Sequence, residues 1–162
     1  MRRSDREITD PTAIEAFLAQ EQILRIAFCE AGEIYIVPVN YGYTCINGRY
    51  TFYFHGAKAG RKYTLAQKAP AVGFEIDGSY ALVPGETACD YTACFQSVIG
   101  TGRLHLIESP QEKADALNLL MKQATHKAQW DYRPEHLEAV AVFRLDVESL
   151  SCKARKEAKP CL

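Results

Sequence analysis

The chain has 162 residues, 48% of them hydrophobic and 24% charged, with a formal net charge of −1. That is the make-up of one globular domain, residues 1–162, with a real core. The balance argues against a general nucleic-acid binder, whose footprint would be broadly basic, so positive charge matters here only where it is concentrated. The opening MRRSDREITDP lacks the apolar stretch of a secretory signal, and no run approaches the ~18 apolar residues of a membrane helix. The expectation is a cytoplasmic protein that engages neither membrane nor nucleic acid.

In chain order, TDPTAIEAFLAQ carries a helix start, with Asp10 as N-cap, Pro11 at the first helical position and Ile14, Phe17 and Leu18 on one face. ILRIAFCE reads as a strand and IYIVPVNYGYTC as a second extended run. Pro38 inside that run demands an edge, a bulge or an interrupted ladder. Asn47-Gly48 between apolar alternations signals a hairpin, and RYTFYFH is its return strand. GRKYTLAQKAP predicts a short helix ending before Pro70, and AVGFEID another strand. GSYALVPGETACDY reads as loop. CFQSVIGTGRLHLIE is a long strand, with Gly100 and Gly102 suggesting a bend or bulge. SPQEKADALNLLMKQAT starts a helix at Ser109 and Pro110, and AVAVFRLDVES closes the chain as a strand. About six strands with few intervening helices disfavour a doubly wound parallel sheet. They suit a mainly β, mostly antiparallel barrel with peripheral helices.

The six cysteines read as reduced thiols in a cytoplasmic setting. Cys29 and Cys45 sit in strand-like runs, as small core residues would. Cys89 and Cys94 lack zinc-ligand spacing, and no metal site is expected. Cys152 and Cys161 read as incidental.

Chemistry concentrates in YTFYFHGAKAGRK. An aromatic strand ends in His55 and releases Lys58, Arg61 and Lys62 around two glycines. Cations in the first turn of a helix oppose its dipole by a few tenths of a kcal/mol. The same turn presents unpaired N–H groups, and Gly56 and Gly60 permit close backbone approach. A bound anion, phosphate above all, would turn both features to advantage; a solvated lysine-rich turn accounts for the charges equally well. The spacing is neither a Walker A loop nor a dinucleotide-binding fingerprint. Pro38 leaves the sheet short of a donor, so a planar ligand could reach the backbone near Asn40, and Gln96 and Ser97 interrupt a second apolar run. Neighbouring cations would keep His55 neutral. Trp130 and Tyr132 could cap the core, wall a pocket or line an interface.

IVPVNYGY, FYFHGAKAGRK, P.V.FEIDG, ACD, SVIGTGR and KAR occur in this order along nearly the whole chain. That pattern resembles the nitroimidazole-resistance (Nim) protein family, within the pyridoxamine 5'-phosphate oxidase-like flavin-binding split-barrel group. The resemblance implies a six-stranded split barrel, a homodimer with FMN (or FAD) at the subunit interface, and a basic loop that grips the FMN phosphate. On this chain it implies Lys58, Arg61 and Lys62 as phosphate ligands. Val37, Pro38, Val39 and Asn40 would lie along the flavin, with Phe54 and His55 beside it. Ser97 and Val98 would add cofactor contacts, and His55 would face the substrate. The oxidase proper has an arginine-led strand ending in lysine where this chain has YIVPVN, which argues against vitamin B6 oxidation. The expected activity is a flavin-dependent oxidoreductase passing electrons from NAD(P)H to a small planar acceptor such as a nitroaromatic. The alternatives are a non-catalytic flavin-binding or storage protein and, third, a haem protein using His55.

Overall fold

The computed structural model describes residues 4–155; Cys161 lies outside them. After a short turn come β1 (Glu7–Ile8), α1 (Pro11–Gln20), β2 (Ile23–Glu30), β3 (Glu33–Asn40), β4 (Gly42–Ile46) and β5 (Arg49–Ala57). Then follow α2 (Arg61–Ala66), β6 (Ala71–Val83), β7 (Thr92–Ile107), α3 (Pro110–Thr125), α4 (Pro134–Ala139) and β8 (Val140–Arg155). The strands form one antiparallel sheet in the order β3-β2-β6-β7-β8-β5-β4, with β1 added to β8. This is the mainly β, helix-flanked architecture expected from the sequence. No helix among the described residues is long and apolar enough to cross a membrane.

Period-2 alternation explains how the sheet is filled. Leu24, Ile26 and Phe28 of β2, Phe52 and Phe54 of β5, Phe74 and Ile76 of β6, and Phe143 and Leu145 of β8 all point to one side and form the main core. Phe52 anchors it, with ring centroids 5.5 Å from Tyr41 and 5.3 Å from Phe74. α1 contributes Ile14, Phe17 and Leu18 to the same core, and its N-cap is Asp10, whose carboxylate accepts from the Thr12 N–H at 3.0 Å.

The described residues form eight strands, because the extended run through Pro38 breaks at Tyr41 and the short β1 adds one more. The Tyr41 hydroxyl donates to the Leu18 carbonyl of α1 at 2.6 Å, and its ring is buried. A Cβ on the next residue, Gly42, would come within 2.4 Å of the α3 backbone at Leu119. The chain is therefore pulled across the barrel, leaving β3 on one edge of the sheet and β4 on the other. Pro38 accordingly sits on an edge strand, paired only to Arg25 of β2. Asn47 and Gly48 form the expected hairpin turn, with φ of 51° and 76°. The β7–β8 ladder shifts register at Thr101/Gly102, but the extra residue is Glu148 of β8; β7 itself runs through its two glycines without the expected inserted residue.

Three further expectations need correction. Ser79–Val83 is strand, not loop: β6 runs on past a register shift between Gly78 and Ala81, and only residues 84–91 connect it to β7. Cys29 is exposed, because its strand parity places it on the outer face, whereas Cys45, half-buried, packs against the core as expected. Cys152 is not incidental: it is buried in the core, and its sulfur accepts from the Gln96 side chain at 3.7 Å. α4 went unread in the sequence, although Pro134 stands at its first turn.

Candidate functional site

β4 stops opposite Tyr53, so the last residues of β5, from Phe54 to Ala57, have a neighbour only in β8. The free edge of β5 thus faces the free edge of β3 across an open seam, and α2 closes one end of it. Arg61 holds that helix to β3 through a 3.0 Å ion pair with Glu33, and its guanidinium lies over the Tyr35 ring at 5.0 Å. Lys68 pairs with Glu30 at the end of β2.

Lys62 turns the other way, over the barrel end. Its ammonium stands 5.5 Å from the Phe54 ring and 5.3 Å from the Phe143 ring, two rings stacked with centroids 4.7 Å apart. It donates to the unpaired His55 carbonyl at 3.4 Å. Gly56 leaves room for this, since a Cβ there would fall 2.8 Å from the Lys62 nitrogen. Burial pushes the Lys62 pKa below its ordinary value. It is a cation held at a cost, with no carboxylate bonded to it among the described residues.

α2 begins at Arg61, where the sequence placed it. Its N-cap, Gly60, has φ 86° and ψ 173°, a conformation only glycine takes readily. No side chain caps the turn, and no acidic residue lies in it. Its free N–H groups open beside the two cations, where Arg61 meets the carboxylate of Glu33 and, at longer range, that of Glu30.

The three loop cations do not converge. Arg61 and Lys62 border the seam, whereas Lys58 lies beside Lys113 of α3, which feels it as a like charge. Lys113 is buried, and its ammonium donates to the Leu137 and Val140 carbonyls at 3.1 and 3.2 Å, tying α4 to α3. The His55 side chain projects to the opposite face of β5 from Phe54 and is exposed. Partial desolvation by adjacent groups, and then the Lys62 charge, push its pKa below the usual histidine value, so the imidazole is neutral near pH 7.

Val39, Phe54 and Val98 are core side chains, so contact from them to a ligand could come only through backbone. Val37 packs against the core from the seam edge, Pro38 faces outward, and the Asn40 amide donates to the Gln22 carbonyl at 3.2 Å. Ser97 is 7% exposed, and its hydroxyl is the one buried side-chain polar atom without a hydrogen-bond partner among the described residues. It is also remote from His55. His55 pairs with Val142, which pairs with Ile107, and Ser97 lies ten residues back along β7, about 33 Å at ~3.3 Å per residue. One chain does not bring both to one ligand.

Sequence reasoning missed Glu33, Tyr35 and Lys113. Tyr35 had a legible signal, since it shares the inward parity of Val37 and Val39. The other two are fixed by contacts between distant segments. Trp130 and Tyr132 are tied to α3, both donating to the Asn118 side-chain oxygen, at 3.0 and 3.2 Å. A concavity of about 680 Å³ lies at the end of β8 between Asp5–Asp10 and Arg155 and includes no seam residue. A family model for pyridoxamine 5'-phosphate oxidase matches residues 10–154.

The chain belongs to this family. Solved members of related fold include a candidate 5-nitroimidazole antibiotic resistance protein from Bacteroides thetaiotaomicron, 27% identical, with TM-score 0.78 over 91% of this chain and 86% of that one. The flavocytochrome Anf3 from Azotobacter vinelandii is 22% identical, with TM-score 0.78 over 97% of this chain and 72% of that one. A FAD- and heme-binding protein from Mycobacterium smegmatis is 13% identical, with TM-score 0.80 over 94% of this chain and 74% of that one. A search of the curated proteins finds no match. Within the pyridoxamine 5'-phosphate oxidase family, the elements that differ most from the sequence expectation here are the early end of β4 and the long β6–β7 hairpin.

Proposed function

We propose that the chain is an FMN-dependent oxidoreductase that passes electrons from NAD(P)H to a small planar acceptor such as a nitroaromatic, acting as a cytoplasmic homodimer. The observation that carries this reading is the half-buried Lys62 ammonium beside the uncapped first turn of α2. The donor set there, a lysine, an arginine and free backbone N–H groups, suits a phosphate. The hydroxyl of Ser97, buried and unpartnered, suits a ligand edge that accepts or donates hydrogen bonds. Likeness to the nitroimidazole-resistance protein supports the acceptor class.

Bound FMN would supply two-electron redox chemistry, taking up electrons from the reduced nicotinamide and releasing them to the acceptor. The protein's part is binding and orientation. Lys62, held rigidly over two stacked rings, would bond the phosphate, and Arg61 would join it from its place over Tyr35. Pro38 leaves the outer edge of β3 without one donor, next to carbonyls that a ring edge can use. His55, neutral at pH 7, can donate or accept a hydrogen bond at the acceptor without adding charge.

The test is the visible spectrum of freshly purified protein, followed by turnover. The expected result is a yellow protein that bleaches on reduction and oxidises NADH or NADPH with a nitroimidazole faster than equimolar free FMN does. A rate equal to free flavin would leave a flavin-binding or storage protein. A Soret band abolished by His55→Ala would assign the site to haem, a reading to which the heme-binding structural neighbour gives some support. Protein that is colourless and gains no thermal stability from added FMN refutes both flavin readings.

A further inference from the structure

Beyond Asp77 the described part of the sheet narrows to a two-stranded arm, β6 from Tyr80 to Val83 against Thr92–Cys94 of β7, with which no described residue of β2 or β8 pairs. At its base β6 carries one extra residue, between the pairs Gly78–Gln96 and Ala81–Cys94. Ser79 lies there with φ of 53°, a left-handed conformation unfavourable for a residue other than glycine. The effect of the bulge is to reverse parity. Without it, Tyr80 and Leu82 would continue the inward row of Phe74 and Ile76. With it they face outward, where Tyr80 is 72% and Leu82 57% exposed. Tyr91 at the end of the connecting loop is 49% exposed. An isolated hairpin is marginal in water, so a strained bulge that only exposed apolar groups would be a net loss.

The arm continues the outer face of the sheet. Leu82 pairs with Ala93, and the same β7 parity leads through Phe95 and Ser97 to Ile99. Across the sheet this face presents Ile23 of β2 and Ile34 and Ile36 of β3, the last two 64% and 60% exposed. The charged group at its centre, Arg25 with Glu75 and Asp77, is internally paired. From β3 to β8 the face is about 19 Å across and roughly 30 Å long. That is on the order of 600 Å² before the arm is added, against ~800 Å² per partner in a standard interface.

A second copy of the chain is the occupant this face suits. A two-fold axis lying in the interface and running across the strands reverses strand direction. It sets the arm end of one copy against the seam end of the other, and so brings Ser97 of one chain toward the seam residues of the other. That resolves the separation of roughly 33 Å within one chain.

We propose that the β6–β7 arm acts in trans, with Tyr80, Leu82 and Tyr91 forming the acceptor-side wall of the flavin site in a second copy and selecting flat aromatic acceptors. This rests on the flavin reading above. Two flat tyrosines and a leucine offer stacking surface and no charge, which suits an aromatic ring and discriminates against a charged aliphatic acceptor.

The experiment is complementation between two differently tagged full-length chains, one Tyr80→Ser/Leu82→Ser and the other Lys62→Ala, each first assayed alone. The arm variant alone should bind FMN normally and show about a tenfold higher KM for a nitroaromatic, the loss expected for one aromatic wall. The Lys62→Ala chain alone should bind FMN poorly. Mixed dimers, isolated through both tags, contain one site built from an intact seam and an intact arm. They should recover the low KM in half their sites. No recovery in verified mixed dimers places the arm in cis and overturns the proposal. So does a wild-type protein that binds FMN as a monomer in sedimentation. In both cases the flavin reading stands, whereas a wild type that never binds flavin defeats that reading first and this one with it.

Discussion

Lys62→Met separates binding from stability at one residue. Methionine keeps most of the stem over Phe54 and Phe143 and removes the charge. In the apo protein the ammonium is disfavoured: burial lowers its pKa, and its hydrogen bond to the His55 carbonyl is a long one of 3.4 Å. The variant should therefore unfold at the same temperature as wild type or slightly higher. Toward FMN the loss should be large, because one charge-assisted hydrogen bond to phosphate is worth roughly 1.5–3 kcal/mol, or about 10- to 100-fold in Kd. Riboflavin, which has the same ring and no phosphate, should bind the variant as well as it binds wild type. Flavin fluorescence quenching with both ligands, and thermal melts with and without FMN, supply the four numbers needed. Equal losses for FMN and riboflavin would mean that Lys62 positions the ring or the fold. No loss for either would remove it from the site altogether.

Other expectations follow from the same geometry. Gly56→Ala should displace the Lys62 ammonium, which a new Cβ would approach to 2.8 Å, and weaken FMN without changing any charge; isothermal titration reads this against an unchanged melt. Lys58→Ala should weaken FMN less than Lys62→Ala does, because Lys58 lies beside Lys113 and away from the seam; equal effects would return Lys58 to the phosphate. Lys113→Met should cost about 1–3 kcal/mol by leaving the Leu137 and Val140 carbonyls unbonded, seen as a lower melting temperature and faster hydrogen exchange in α4. The His55 imidazole should titrate below the ordinary value of ~6.5 by NMR. Since the unfolded chain then binds more protons in that range, His55 should subtract stability as the pH falls from about 6.5 through its folded pKa. Lys62→Met should move that midpoint upward.

What the sequence made legible was whatever depends on neighbours along the chain. The alternation in RYTFYFH fixed the inward row Tyr50, Phe52 and Phe54. Asp10 and Ser109 marked two helix starts. Pro38 announced an edge, and Gly60 the start of α2. What it concealed depends on contacts between distant segments. The break at Tyr41 is made by α1 and α3, which a reader of IYIVPVNYGYTC cannot see. The core placement expected for Cys29 runs against the alternation of Leu24, Ile26 and Phe28 in its own strand, which already puts it on the outer face. GSYALVPGETACDY was read as loop because its glycines and proline look like turn residues, when Gly78 and Ser79 in fact form a bulge within a longer strand. Within the site, residue types were visible but their directions were not, so three cations in five residues looked like one grip.

Those directions follow from one feature, the early end of β4. Had β4 continued alongside β5 past Tyr53, the His55 carbonyl would be paired within the sheet and Lys62 would have no acceptor there. Ending β4 at Gly42 frees that carbonyl, opens the seam to β3 and lets α2 fold over the gap, with Arg61 reaching Glu33 and Lys62 reaching His55. The break at Tyr41 thus frees a sheet edge on both sides of the seam. The Tyr41 hydroxyl bond to Leu18 is then a positioning contact for the cation cluster some distance away. Tyr41→Phe should keep the ring packing, lose one buried hydrogen bond at about 1 kcal/mol, and loosen the turn that ends β3. If the seam depends on that turn, FMN affinity should fall together with riboflavin affinity, the opposite of the phosphate-selective loss expected at Lys62. An FMN-selective loss in Tyr41→Phe would refute this link.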